Sequence, residues 1–180
     1  MSAPEPPGFD RPLDLIRQTH RRLEHRCALM QRLVTHLQEQ GCDADAQATA
    51  GHVVRFFEED MMHHHRDEDE AFYAAVVEAA PAKSRPAIAK LVAELRGEHE
   101  RQQAVWRDVL RPQLTAIMEG RAKTLNREAV DRCHMLYVSH LEREEEVLLP
   151  IAEKHLSRAQ LEQLGRGMAE RRKLPYPGDA

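Results

Sequence analysis

The sequence predicts an all-α fold: an up-down-up-down antiparallel four-helix bundle with a short C-terminal fifth helix. Three observations lead there. With 4% aromatic residues and 8 glycines in 180 residues, the chain is poor in what sheets and their turns require, and Ala, Leu, Glu, Arg and Gln, all good helix formers, dominate instead. Apolar residues recur with a period near 3.6 over four long stretches. Residues that stop or start helices fall between those stretches, and connections this short make successive long helices antiparallel.

The first helix begins near Leu13, and Leu13, Ile16, His20, Leu23, Cys27, Met30, Val34 and Leu37 lie on one stripe. Gly41 ends it, and Asp43 is placed to cap its successor. The second helix runs from about residue 45 to residue 79, with Val53, Phe57, Met61, His64, Glu68, Phe72 and Ala75 facing inward, until Pro81 breaks it. Ser84 is the expected N-cap of the third helix, and Pro86 suits its first turn. Ile88, Val92, Leu95, His99, Trp106, Leu110 and Leu114 form its stripe, Pro112 predicts a kink, and Gly120 closes it. Asn126 caps the fourth helix, whose inward residues are Val130, Cys133, Tyr137, His140, Glu144, Val147, Leu148 and Ile151. Pro150 predicts a bend in its last turns. Ser157 and Gln160 make a capping box for a fifth helix reaching about Arg172. The expected organisation is a flexible segment over residues 1–12, the bundle over 13–156, and a short helix and tail over 157–180.

Composition excludes several functions. The net charge is −4, and no basic stripe with interleaved aromatics appears, so nucleic acid is not an expected partner. No apolar run approaches the roughly 18 residues of a membrane span. The opening residues lack the apolar core of a secretory leader, so a cytoplasmic location is expected. Cys27, Cys42 and Cys133 are far apart in sequence and form no thiolate metal pattern, so inert thiols are expected.

The unusual feature is 11 histidines. Two segments share a pattern, His64-His-Arg-Asp-Glu68 and His140-Leu-Glu-Arg-Glu144. On a helix, residues four apart share a face, which lets one imidazole and one carboxylate serve the same ion. Each pair lies within an apolar stripe, where an unpartnered carboxylate is costly and a cation would offset the cost. His20 and His99 are placed alike on the first and third helices, so the chain reads as two helical hairpins, each offering His and then His-x-x-x-Glu. A lone inward histidine is usually a hydrogen-bonded core residue, but four at matched positions, two with a glutamate, point to metal. Six donors exceed the need of one zinc, and mixed imidazole and carboxylate ligation favours iron or manganese. A register using His63 with Asp67 is the alternative. His63 and His65 are expected to be exposed or to lie behind the ligands, and Asp69, Glu70, Glu145 and Glu146 to be solvated.

Over about residues 13–155 the sequence resembles the hemerythrin-like (HHE cation-binding) family. The resemblance rests on Thr19-His20-Arg-Arg-Leu, His64-x-x-x-Glu68, Glu98-His99-Glu100 and His140-Leu-Glu-Arg-Glu144-Glu-Glu-Val-Leu-Leu-Pro150. It implies a centre of two iron ions with an oxo or hydroxo bridge. His20, His64, His99 and His140 would be terminal ligands, and Glu68 and Glu144 would bridge. Gln103 stands where oxygen-carrying members have a fifth histidine, so water, Gln103 or Glu24 is left to fill that place. The resemblance implies a protein that binds or senses a small diatomic or peroxide ligand, such as dioxygen or nitric oxide. The alternatives are an enzyme with an electron donor, reducing peroxide or nitric oxide or donating iron for iron–sulfur cluster repair, and a helical interaction protein with adventitious metal.

Overall fold

The computed structural model describes residues 8–178. Five helices make up the fold, and no strand occurs among the described residues. Helix α1 is Pro12–Glu39. Helix α2 covers residues 44–79 as Ala44–Glu58, Asp60–Asp67, a π turn at Glu68–Phe72, and Tyr73–Ala79. Helix α3 covers residues 85–118, with a π turn at Trp106–Leu110, and α4 covers residues 127–155, with a π turn at Glu144–Leu148. Helix α5 is Arg158–Arg172.

The starts and stops follow local chemistry. Asp43 accepts from the Ala46 amide and Asn126 from the Ala129 amide, satisfying N-terminal donors that the helix itself cannot. The Ser157–Gln160 capping box is formed in both directions. Ser84 precedes α3 as expected, but its hydroxyl donates to the Pro81 carbonyl instead of capping the helix. Gly41 and Gly120 take positive φ, 80° and 70°, where the chain reverses out of α1 and α3.

The two late prolines do not break their helices. In an α-helix the Pro112 ring would press on the Asp108 carbonyl, and the Pro150 ring on that of Glu146. Both carbonyls lie within π turns, where the backbone bonds run five residues back, Arg111 N–H to Trp106 O and Leu149 N–H to Glu144 O. The π turn at Glu68–Phe72 has no proline beside it. It occupies the place in α2 that Glu144–Leu148 occupies in α4.

The apolar interior divides into two clusters. One is built on Leu23, Cys27, Met30, Phe57, Met61, Trp106, Leu110 and Tyr137. The other is built on Ile16, Phe72, Tyr73, Val92, Leu95, Leu148 and Leu149. Along α1 and α3 the chain passes from the second cluster to the first, and along α2 and α4 from the first to the second, which is the antiparallel order in its simplest form. All six predicted ligands fall between the clusters. Cys27 and Cys133 meet inside the first cluster, where hydrogen bonding between the thiols and burial push the Cys133 thiol well above its ordinary range.

Helix α5 is joined to the bundle. Asp67, buried on α2, accepts from Arg171 Nε at 2.6 Å and pairs with Arg172 at 2.7 Å. Leu164 and Met168 enter the second cluster. Residues 1–7 of the segment expected to be flexible lie outside the described residues. Within the rest of it, Phe9 packs against the second cluster. The Phe9 carbonyl passes so close to Gly165 that a Cβ there would stand 1.9 Å from it, so only glycine permits this approach.

Candidate metal centre

The centre is a polar layer between two apolar ones. His20, His64, His99 and His140 are each at most 2% exposed, and Glu68 and Glu144 are fully buried. One helix contributes each histidine, and α2 and α4 contribute the carboxylates from the first residue of their π turns. The donor atoms form two groups, each within 4.8 Å: His20, His64, Glu68 and Glu144 in the first, and Glu68, His99 and His140 in the second.

Glu68 is common to both groups. Its Oε1 lies 3.1 Å from His64 Nε2 and 3.7 Å from His20 Nε2, while its Oε2 lies 3.4 Å from His99 Nε2. Glu144 Oε2 lies 3.3 Å from His20 Nε2 and 3.5 Å from His140 Nε2. Its Oε1 accepts from the Tyr73 hydroxyl at 2.6 Å. Both Glu68 oxygens, Glu144 Oε2 and His20 Nε2 are buried without a proper hydrogen bond. Native interiors rarely leave such atoms unpaired unless an ion or water serves them. Hard carboxylate oxygens and imidazole nitrogens converging in this way fit iron, manganese or zinc.

The acids expected to be solvated separate into two kinds. Glu70 and Glu146 are exposed. Glu145 instead stands 2.7 Å from His20 Nδ1, and Asp69 stands 3.1 Å from His99 Nδ1. Glu98 does the same for His140 Nδ1 at 3.0 Å, while also accepting from Arg143. Such partners fix the tautomer and would aim Nε2 at a bound cation. The arrangement is crossed between hairpins: the acid after Glu68 holds a histidine of α3, and the acid after Glu144 holds one of α1. An acid directly following each inward glutamate was the available sequence signal.

Charge distribution in the layer follows these contacts. Burial would lower the His20 pKa, but hydrogen bonds to Glu144, Glu145 and Glu68 raise it well above the ordinary value. His99 behaves alike, raised against burial to about 10 by Asp69 and Glu68. Burial acts against Glu144 ionisation, yet hydrogen bonding to His20 and the charge of His140 bring it down to about 2. Burial, with the neighbouring histidines, pushes His64 and His65 well below the usual imidazole range. Burial and the charges of Glu68 and Glu144 keep the Tyr73 hydroxyl protonated.

Other sequence-level candidates resolve differently. Glu24 is exposed and does not reach the layer. Gln103 ends at His65, its amide nitrogen 3.3 Å from Nδ1. The alternative His63 and Asp67 register fails because Asp67 is bound to Arg171 and Arg172. His65 is 4% exposed and stacks on His99 with ring centroids 4.1 Å apart. A cleft of about 550 Å³ between α2 and α3 opens beside His65, with Phe57, Met61, Trp106 and Tyr137 in its walls.

An antiparallel helical bundle with a buried layer of four imidazoles and two carboxylates is the architecture of a helical cation-binding protein. The hemerythrin HHE cation binding domain matches residues 11–152, and the chain belongs to that family. No curated protein matches the chain. No helix among the described residues is long and apolar enough to cross a membrane.

Proposed function

We propose that the chain is a hemerythrin-like non-haem di-iron protein that binds or senses a small diatomic or peroxide ligand, dioxygen or nitric oxide among them. The observation that carries this reading is Glu68, whose two oxygens face different donor groups. A carboxylate so placed would be shared between two ions. On this reading His20 and His64 would hold one iron and His99 and His140 the other, with Glu68 shared between them and Glu144 offering Oε2.

The iron pair, when bound, supplies redox change and an open position for a small ligand. The chain's own residues do the rest. Asp69, Glu98 and Glu145 hold protons on three Nδ1 atoms, so that the corresponding Nε2 atoms present lone pairs. Tyr73 donates to Glu144 Oε1 and holds that carboxylate in one orientation. The two apolar clusters exclude bulk water from above and below, which strengthens every electrostatic contact within the layer.

Metal analysis and the absorption spectrum of aerobically purified protein test the proposal. About two irons per chain and a near-ultraviolet charge-transfer band are expected, with further spectral change on adding azide or nitric oxide. A colourless protein holding one zinc would refute it. Sustained peroxide consumption with a reductant would assign the chain to the enzymatic alternative.

A further inference from the structure

Cys27 and Cys133 stand at matched places. Cys27 is seven residues after His20 on α1, and Cys133 is seven residues before His140 on α4. The two helices are antiparallel neighbours, both stretches are unbroken α-helix, and seven residues rise about 10 Å. The two side chains therefore reach one level, two turns from the metal layer and on the same side of it, and there the thiols hydrogen bond to each other. Each residue is 1% exposed, and both belong to the first apolar cluster. Cys42 is not part of this pair: it lies between α1 and α2, and its thiol donates to the Ile117 carbonyl at 3.5 Å.

Three properties set the pair apart from two apolar fillers. Sulfurs that already share a hydrogen bond need little movement to reach bonding distance. The hydrogen bond to Cys27, together with burial, holds the Cys133 thiol well above its ordinary range, so an oxidant in bulk water meets neither a thiolate nor an open path. The interval between the thiols and the layer is filled by rings. Tyr137, one turn after Cys133, has its ring centroid 6.2 Å from that of His65, and the His65 ring stacks on His99 at 4.1 Å. An oxidant held at the layer is thus better placed to draw electrons from the pair than one in solvent.

We propose that Cys27 and Cys133 form a two-electron redox site, closing to a disulfide between α1 and α4 as a peroxide held at the metal layer is reduced to water. The step balances. Two S–H bonds and the O–O bond of one hydrogen peroxide break, and one S–S bond and two O–H bonds form. The sulfurs lose two electrons, the peroxide gains them, and the two thiol protons end on its oxygens as two waters. The proposal rests on the peroxide-binding reading above and adds to it an electron donor within the chain.

The reduced full chain, loaded with iron and given one equivalent of hydrogen peroxide, tests the proposal. Iron content is measured first; free thiols are then counted after an acid quench, and linked peptides are identified by mass spectrometry. Wild type is expected to fall from three thiols to one, with Cys27 joined to Cys133, at least about tenfold faster with iron than without it. Cys27→Ala and Cys133→Ala are each expected to keep their remaining thiols over the same time, and Cys42→Ala to close the disulfide as wild type does. A wild-type chain that binds two irons yet keeps three thiols, links Cys42, or closes at the same rate without iron overturns the proposal and leaves the metal reading standing. A chain that binds no iron pair overturns both.

Discussion

Replacing Asp69 by asparagine isolates what a carboxylate behind a ligand histidine contributes. Asparagine keeps the size of Asp69 and an oxygen able to accept from His99 Nδ1–H, but it removes the charge. Loss of such a partner costs roughly 10–100-fold in metal affinity, about 1.4–2.7 kcal/mol. The Asp69 side chain is 35% exposed, and Arg96 lies 3.7 Å away, so solvent and that cation already screen part of its charge. The lower end of the range follows, about 10-fold. The effect belongs to one half of the centre, because His20 draws on Glu145. Glu145→Gln should therefore weaken the first half and Asp69→Asn the second. Co(II) titration against a competing chelator resolves the two constants. The reasoning is refuted if Asp69→Asn weakens both halves equally, or leaves both within twofold of wild type.

Four further outcomes are expected. In the metal-free protein His20 and His99 hold protons that the metals must displace, so the affinity of each metal should rise about tenfold per pH unit between pH 6 and 8, as a chelator-buffered titration would measure. The same two histidines have folded pKa values above the unfolded value of about 6.5, about 10 for His99; the stability they contribute is full below the unfolded value and is lost as pH rises through the folded ones, so metal-free melts should drop as pH rises above about 6.5 and metal-loaded melts much less. Asp67→Asn should destabilise by about 2–3 kcal/mol, allowing for the partial exposure of both arginines, which lowers the Tm by roughly 5–10 °C and exposes α5 to trypsin. Tyr73→Phe removes a buried bond to a charged acceptor, worth about 1.5–3 kcal/mol, and should lower the metal-free melt while the far-ultraviolet dichroism stays unchanged.

The bundle and six of the polar residues in its central layer were legible because both obey one period. A helix with one buried stripe announces which histidines face inward, and a glutamate four residues on shares that face. The outer partners were illegible for a physical reason. Asp69 and Glu145 belong to acidic runs, and a run of charges on a helix usually marks the solvated side. His65 and Asp67 escaped for a different reason. The single-stripe reading assumes that α2 buries one face, but α5 covers Asp67 through Arg171 and Arg172, and α3 covers His65 through His99 and Gln103. A second buried surface carries no periodic apolar signature of its own, because the residues on it are polar.

The π turns connect these observations. In α3 and α4 they accommodate a proline, so sequence chemistry suffices to explain them. In α2 no proline is present, yet a π turn begins at Glu68, as one begins at Glu144. A π turn places more residues in each revolution, so consecutive side chains diverge less than on an α-helix. That lets two neighbouring acids, Glu68 with Asp69 and Glu144 with Glu145, both lean toward the layer, one to the centre and the next to the back of a histidine from the other hairpin. The crossed pairs of Glu145 with His20 and Asp69 with His99 thus tie the two hairpins into one site.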